Sequence, residues 1–111
     1  MTLLQQIHEE QLAHRESERM AARAVLRRAL TRLFPPGTEV IVFGSIVAPG
    51  RFGERSDVDL ALVGSIQPRE LTRMAVALEQ ALNRTVDLVV LEETREKLRE
   101  KILREGEPWI V

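Results

Sequence analysis

The stretch that decides the fold runs from residue 40 to residue 64 and reads VIVFGSIVAPGRFGERSDVDLALVG. Two short apolar runs enclose a polar segment, APGRFGERS, that carries one proline and two glycines. Runs of that kind predict buried strands, and the Pro/Gly segment between them predicts a loop. The two junctions raise a question. Gly44-Ser45 closes the first run, and Asp57-Val58-Asp59 opens the second. Carboxylates at the mouth of an oily strand need a chemical reason.

Working outward toward the N-terminus, residues 3 to about 33 predict one helix. Thr2 suits the N-cap, Gln5 completes a capping box, and no Pro or Gly interrupts before Pro35. The second half sets Ala22, Leu26, Leu30 and Leu33 on one face, with Arg23, Arg27 and Arg28 mostly off it, so this half packs on the core. The first half, QQIHEEQLAHRESER, is much poorer in apolar residues. A helix of this length runs on the order of 45 Å, longer than such a domain is wide. Its first turns are therefore expected to project or to dock on a partner. PPGT, from Pro35 to Thr38, stops it, and EVIVFG follows as the first strand.

Toward the C-terminus, PRELTRMAVALEQALNR predicts a helix opened by Pro68, with Leu71, Met74, Ala75, Leu78 and Leu82 at helical spacing. TVDLVVL is the third strand. EETREKLREKILRE is a final helix, with Leu91, Leu98, Ile102 and Leu103 as its expected apolar contacts and Gly106 as its stop. The apolar tail EPWIV suits an edge strand or a partner contact. There are no internal repeats. The order of elements predicts an α/β (α+β) class: a small mixed sheet of three strands, or slightly more, flanked by helices.

Composition narrows the function. The chain has 111 residues, enough for one domain, and a formal net charge of -1. A protein that tracks a phosphate backbone carries a basic surplus, so long nucleic acid is not the expected partner. Four aromatic residues (Phe34, Phe43, Phe52 and Trp109) are too few for a base-stacking platform. With no cysteine, disulfide and thiolate chemistry are excluded, which fits a reducing cytosol. No apolar run is long enough to span a bilayer, and MTLLQQIHEEQ has no signal-peptide character, so a soluble cytoplasmic protein without a membrane partner is expected. His8 and His14 are six residues apart, on different faces of the helix, and read as surface histidines rather than a metal pair.

The carboxylates carry the chemistry. Side chains alternate along a strand, so Asp57 and Asp59 point to one side and Val58, Leu60 and Leu62 to the other. Adjacent carboxylates repel, and a divalent cation with a preference for hard oxygen ligands, such as Mg²⁺, resolves the conflict. Asp87 opens the third strand in the same way. If the second and third strands run parallel, three acids meet at one sheet edge, a two-metal arrangement in outline. For Gly44-Ser45 to reach them, the first strand must run antiparallel. Glycine lets a phosphate approach the backbone, and the serine hydroxyl and nearby amides can bind its oxygens. A phosphate cradle facing an acidic metal site suits nucleotidyl transfer. One D-x-D alone is better explained as turn or cap chemistry at the start of a strand. The joint pattern of Gly-Ser, D-x-D and a third acid raises the functional reading above it.

That pattern resembles the minimal nucleotidyltransferases of the DNA polymerase β-like superfamily, well over residues 40–91 and plausibly over the whole chain. The resemblance implies one nucleotidyltransferase domain over 1–111, with an N-terminal helix at about 3–33, a catalytic core at about 39–91, and a C-terminal helix and tail at about 92–111. It implies Asp57 and Asp59 as metal ligands, Asp87 as the third carboxylate supporting acceptor activation, and Gly44 and Ser45 as the triphosphate site, with ATP as substrate and Mg²⁺ as cofactor. Ser56 and Arg51 join the expected nucleotide-binding set. The spacer Ile46 to Ser56 is one residue longer than the family pattern, and IVAP after Gly-Ser lacks the basic residue that many relatives carry. Arg51 or Arg55 is the expected substitute; the alternatives are that both are solvated loop arginines or that nucleotide affinity is reduced. The chain has no room for an acceptor-binding domain, so a second polypeptide or a second copy is expected. Small members of the family often pair with a HEPN-domain toxin as its antitoxin, and in some pairs they add AMP to the toxin. The expected function is therefore a protein adenylyltransferase antitoxin. The alternatives are a non-catalytic binding subunit and a homodimeric small-molecule nucleotidyltransferase.

Overall fold

The computed structural model describes residues 1–111. Helix α1 spans Leu3–Leu33, and both hydrogen bonds of the Thr2/Gln5 capping box are made. Strand β1 (Glu39–Phe43) leads into a 3₁₀ turn, Gly44–Val47. Then come β2 (Val58–Leu62), α2 (Pro68–Leu82) and β3 (Val86–Val90). A short 3₁₀ turn (Leu91–Glu93), α3 (Glu96–Glu105) and β4 (Glu107–Ile110) complete the chain.

The sheet has four strands in the order β3-β2-β1-β4, one more than the minimum expected. β1 runs antiparallel to β2 and β4, and β2 runs parallel to β3. The tail is thus the edge strand β4 rather than a free segment. Trp109 is 5% exposed and packs against α1, where Arg23 and Arg27 lie 5.2 and 4.1 Å from its ring centroid.

Strand alternation divides the core in two. Val40, Val42, Val58, Leu60, Leu62, Val86 and Leu88 face the layer built by α1 and α2, meeting Ala22, Leu26, Ala29, Leu30 and Leu78. Ile41 and Ala61 face the other way and are covered by Ile102 of α3 and by Leu91. Leu98 and Leu103 do not join this contact as expected; they are 39% and 59% exposed. The helix is shorter than its periodicity promised, because Leu91–Glu93 is a separate turn. Arg99 holds that turn by donating to the carbonyls of Leu91, Glu92 and Thr94.

Gly106 ends α3, but not through a left-handed cap, since its φ is -76°. A Cβ there would overlap the Ile102 carbonyl oxygen and the Ile41 side chain. Glycine is needed for space, so that β4 can turn in against β1.

The chain measures 54 × 29 × 20 Å, and the long dimension reflects the projecting start of α1. Leu3 and Leu4 are 71% and 79% exposed there, and Ile7 and Leu12 are exposed as well. No helix is long and apolar enough to cross a membrane.

Candidate active site

The parallel pairing of β2 and β3 sets Asp59 directly opposite Asp87. The antiparallel pairing of β1 and β2 sets Phe43 opposite Asp59, so Gly44 arrives beside the same carboxylate. Asp57 stands one residue before β2, two residues from Asp59. The three acids share the sheet face that α3 covers only in part. Asp59 is half-buried, while Asp57 and Asp87 are exposed. The strand register assumed from the sequence is therefore the observed one.

Gly44 has a φ of +80°, and a Cβ there would overlap the Asp59 carboxylate. The glycine is required twice over, by backbone conformation and by the acid against it. Gly44 and Ser45 open the 3₁₀ turn, and the first amides of such a turn have no acceptor within it.

Burial, followed by the negative charges of Asp87 and Asp57, holds the Asp59 carboxyl above its ordinary range. Lys101 on α3 acts in the opposite sense. Asp59 and Asp87, side by side on paired strands, offer hard oxygen donors of the kind that a divalent cation takes.

A cavity of about 520 Å³ opens beside Asp59. Gly44, Ser45 and Arg51 line it from the β1 side, and Lys101 lines it from α3. Of the two loop arginines, Arg51 is the one at this cavity. Arg55 does not line this cavity; it lines another with Ile7, Gln11 and His14 of α1. Lys101 escapes a sequence reading because its helix begins many residues after the motif. Its only sequence signal is its position next to the buried Ile102.

Ser56 lies just before Asp57, and its hydroxyl accepts a hydrogen bond from the Gly53 amide at 2.9 Å. It shapes the turn into β2. The loop itself is anchored more firmly than its Pro/Gly content suggested. Ile46 and Phe52 are fully buried, and Arg19 of α1 donates to the Ile46 carbonyl at 3.0 Å. His14 pairs with Glu18 and Glu54, at 3.8 and 3.3 Å, and is not matched with His8.

Residues 38–110 match the Polymerase beta, Nucleotidyltransferase family, and the chain belongs to it. It is a nucleotidyltransferase with the polymerase β-like fold. Among solved structures it is similar to a chain proposed to be a minimal nucleotidyltransferase, at 34% identity over 85% of this chain and 94% of that one, with a TM-score of 0.61. It is also similar to a toxin–antitoxin structure with AMP-PNP, at 24% identity over 79% of this chain and 73% of that one, TM-score 0.66. A third is the tri-AMPylated HEPN toxin of Shewanella oneidensis in complex with an MNT antitoxin, at 21% identity over 84% of this chain and 73% of that one, TM-score 0.63. No curated protein matches the sequence.

Proposed function

We propose that this protein is a Mg²⁺-dependent adenylyltransferase that transfers AMP from ATP to a hydroxyl of a HEPN-type partner, as the antitoxin of that pair. The observation that carries the reading is the pairing of Asp59 with Asp87, with Gly44 against Asp59 at one cavity. The solved relatives support it: one toxin–antitoxin structure holds AMP-PNP, and in another the HEPN toxin is tri-AMPylated.

In this reading Asp57, Asp59 and Asp87 would hold Mg²⁺. When bound, the metal neutralises charge at the α-phosphate and orients the triphosphate. Gly44 and Ser45 bind phosphate oxygens through amides and hydroxyl. Arg51 and Lys101 bring positive charge to the same cavity. Asp87 takes the proton from the acceptor hydroxyl. The acceptor oxygen then bonds to the α-phosphorus, the bond to the bridging oxygen of the β-phosphate breaks, and pyrophosphate leaves. The exposed apolar start of α1 offers the partner a surface outside this cavity.

The test uses ATP labelled at the α-phosphate, with a parallel reaction labelled at the γ-phosphate, and lysate of the source cell as acceptor. Label from the α-position alone on one protein is the expected result. Its loss in D57N and D59N would assign it to this site. Label on a small molecule would point to the homodimeric enzyme. No transfer, with a partner still co-purifying, would point to a binding subunit.

A further inference from the structure

Arg84 lies between α2 and β3, next to Asn83, whose left-handed conformation (φ 52°) turns the chain out of the helix. Its guanidinium is nearly spent on one loop. Nη1 donates to the carbonyls of Gly53, Glu54 and Ser56 at 2.7, 3.3 and 2.9 Å. Nη2 donates to the Glu18 carboxylate of α1 at 3.1 Å. The group also stacks on the buried Phe52, 4.2 Å from the ring centroid. The Arg84 side chain is only 10% exposed.

The sequence positions matter. The carbonyls it holds lie directly before Asp57, and Arg84 itself lies three residues before Asp87. One side chain therefore ties the start of β2 to the start of β3. A backbone bond reinforces the tie, with the Val58 amide donating to the Thr85 carbonyl at 3.0 Å. The acids beyond this point repel each other, and Lys101 of α3 is the charge that opposes the repulsion at Asp59.

We infer that Arg84 is a positioning residue that fixes Asp57 relative to Asp87, with Glu18 fixing Arg84. The inference rests on the reading of these acids as a metal-binding set. A planar fork is suited to three carbonyls and a carboxylate at once, and lysine is not. Because the bonds go to backbone carbonyls, Arg84 sets the path of the chain into Asp57 whatever side chains the loop carries. Residues that orient ligands without touching the metal change affinity by roughly 10- to 100-fold when removed.

The test measures Mn²⁺ binding to the 111-residue chain by electron paramagnetic resonance, well below the melting temperature. The variants are R84Q, R84K, E18Q, D57N, and L33A as a packing variant beside Glu39 and Leu62, at the other end of β1 and β2 from the acids. R84Q is expected to weaken Mn²⁺ binding about tenfold, R84K to recover part of the loss, and E18Q to weaken it by a smaller factor. L33A is expected to melt earlier and bind Mn²⁺ normally, which separates positioning from general stability. Folded R84Q with unchanged affinity, while D57N binds poorly, would overturn the role of Arg84 alone. Should R84Q not fold, unchanged affinity in E18Q would overturn it. Equal affinity in wild type and D57N would overturn the metal-site reading beneath it.

Discussion

The Asp59 carboxylate occupies the space that a β-carbon on residue 44 would fill. The acid of one strand and the glycine that follows its antiparallel neighbour are thus fitted to each other. Gly44→Ala would add a methyl group there and strain a backbone at φ +80°. The expected cost is about 1–3 kcal/mol, read as a lower melting temperature. Transfer should fall more than stability does, because the displaced group is Asp59. Wild-type melting and wild-type transfer in this variant would refute the fit.

Asp59 is half-buried beside two other carboxylates, with Lys101 as the opposing charge. Asp59→Asn removes a repelled charge at nearly constant shape. The apo variant is expected to melt higher than wild type at neutral pH in the presence of a chelator, by a margin that solvent screening of the half-exposed carboxylate keeps small. Adding Mg²⁺ should raise the melting temperature of wild type and leave that of the variant nearly unchanged. A variant less stable than wild type without metal would show that Asp59 holds the fold together rather than straining it.

This pair also shows how far the sequence could be read. Gly44, Asp59 and Asp87 were legible because chemistry and strand period coincide there: one turn glycine and acids at the mouths of apolar runs. The three strands and three helices follow from the same local patterns. What escaped depends on contacts distant in sequence. Lys101 reaches the cavity because α3 folds back over the sheet, and Arg84 meets Gly53 across 31 positions of chain. The spatial role of Gly106 is likewise invisible until Ile41 and Ile102 are brought against it. Periodicity overstated the core contacts of α3, where Leu103 faces solvent and Leu98 lines the cavity beside Asp59.

Lys101 lines the cavity across from Gly44 and Ser45, and IVAP offers no charge of its own. Lys101→Met keeps the aliphatic stem and removes the ammonium. Since Lys101 is exposed, the fold should be unaffected. Loss of a charge-assisted contact to phosphate predicts a rise of about tenfold in KM for ATP, with a smaller change in kcat. Steady-state kinetics over a range of ATP concentrations checks this. An unchanged KM would assign the triphosphate contact to Arg51 instead.

Glu107 anchors the edge strand that the tail becomes. Arg23 donates to both of its carboxylate oxygens, and the Trp109 indole N–H adds a third bond at 2.9 Å. The hydrogen bonds from Arg23, then that from Trp109, hold the Glu107 carboxyl below its ordinary value of 4.5. A depressed native pKa means that the unfolded chain binds the proton more readily. The stabilisation is therefore present above pH 4.5 and lost as pH falls through the lower native value. Its side chain is 42% exposed, so screening limits the contribution to about 0.5–1 kcal/mol. Glu107→Gln should accordingly melt below wild type at pH 7, and the two melting temperatures should converge in acid. A constant difference across pH would mean that Glu107 acts through packing rather than charge.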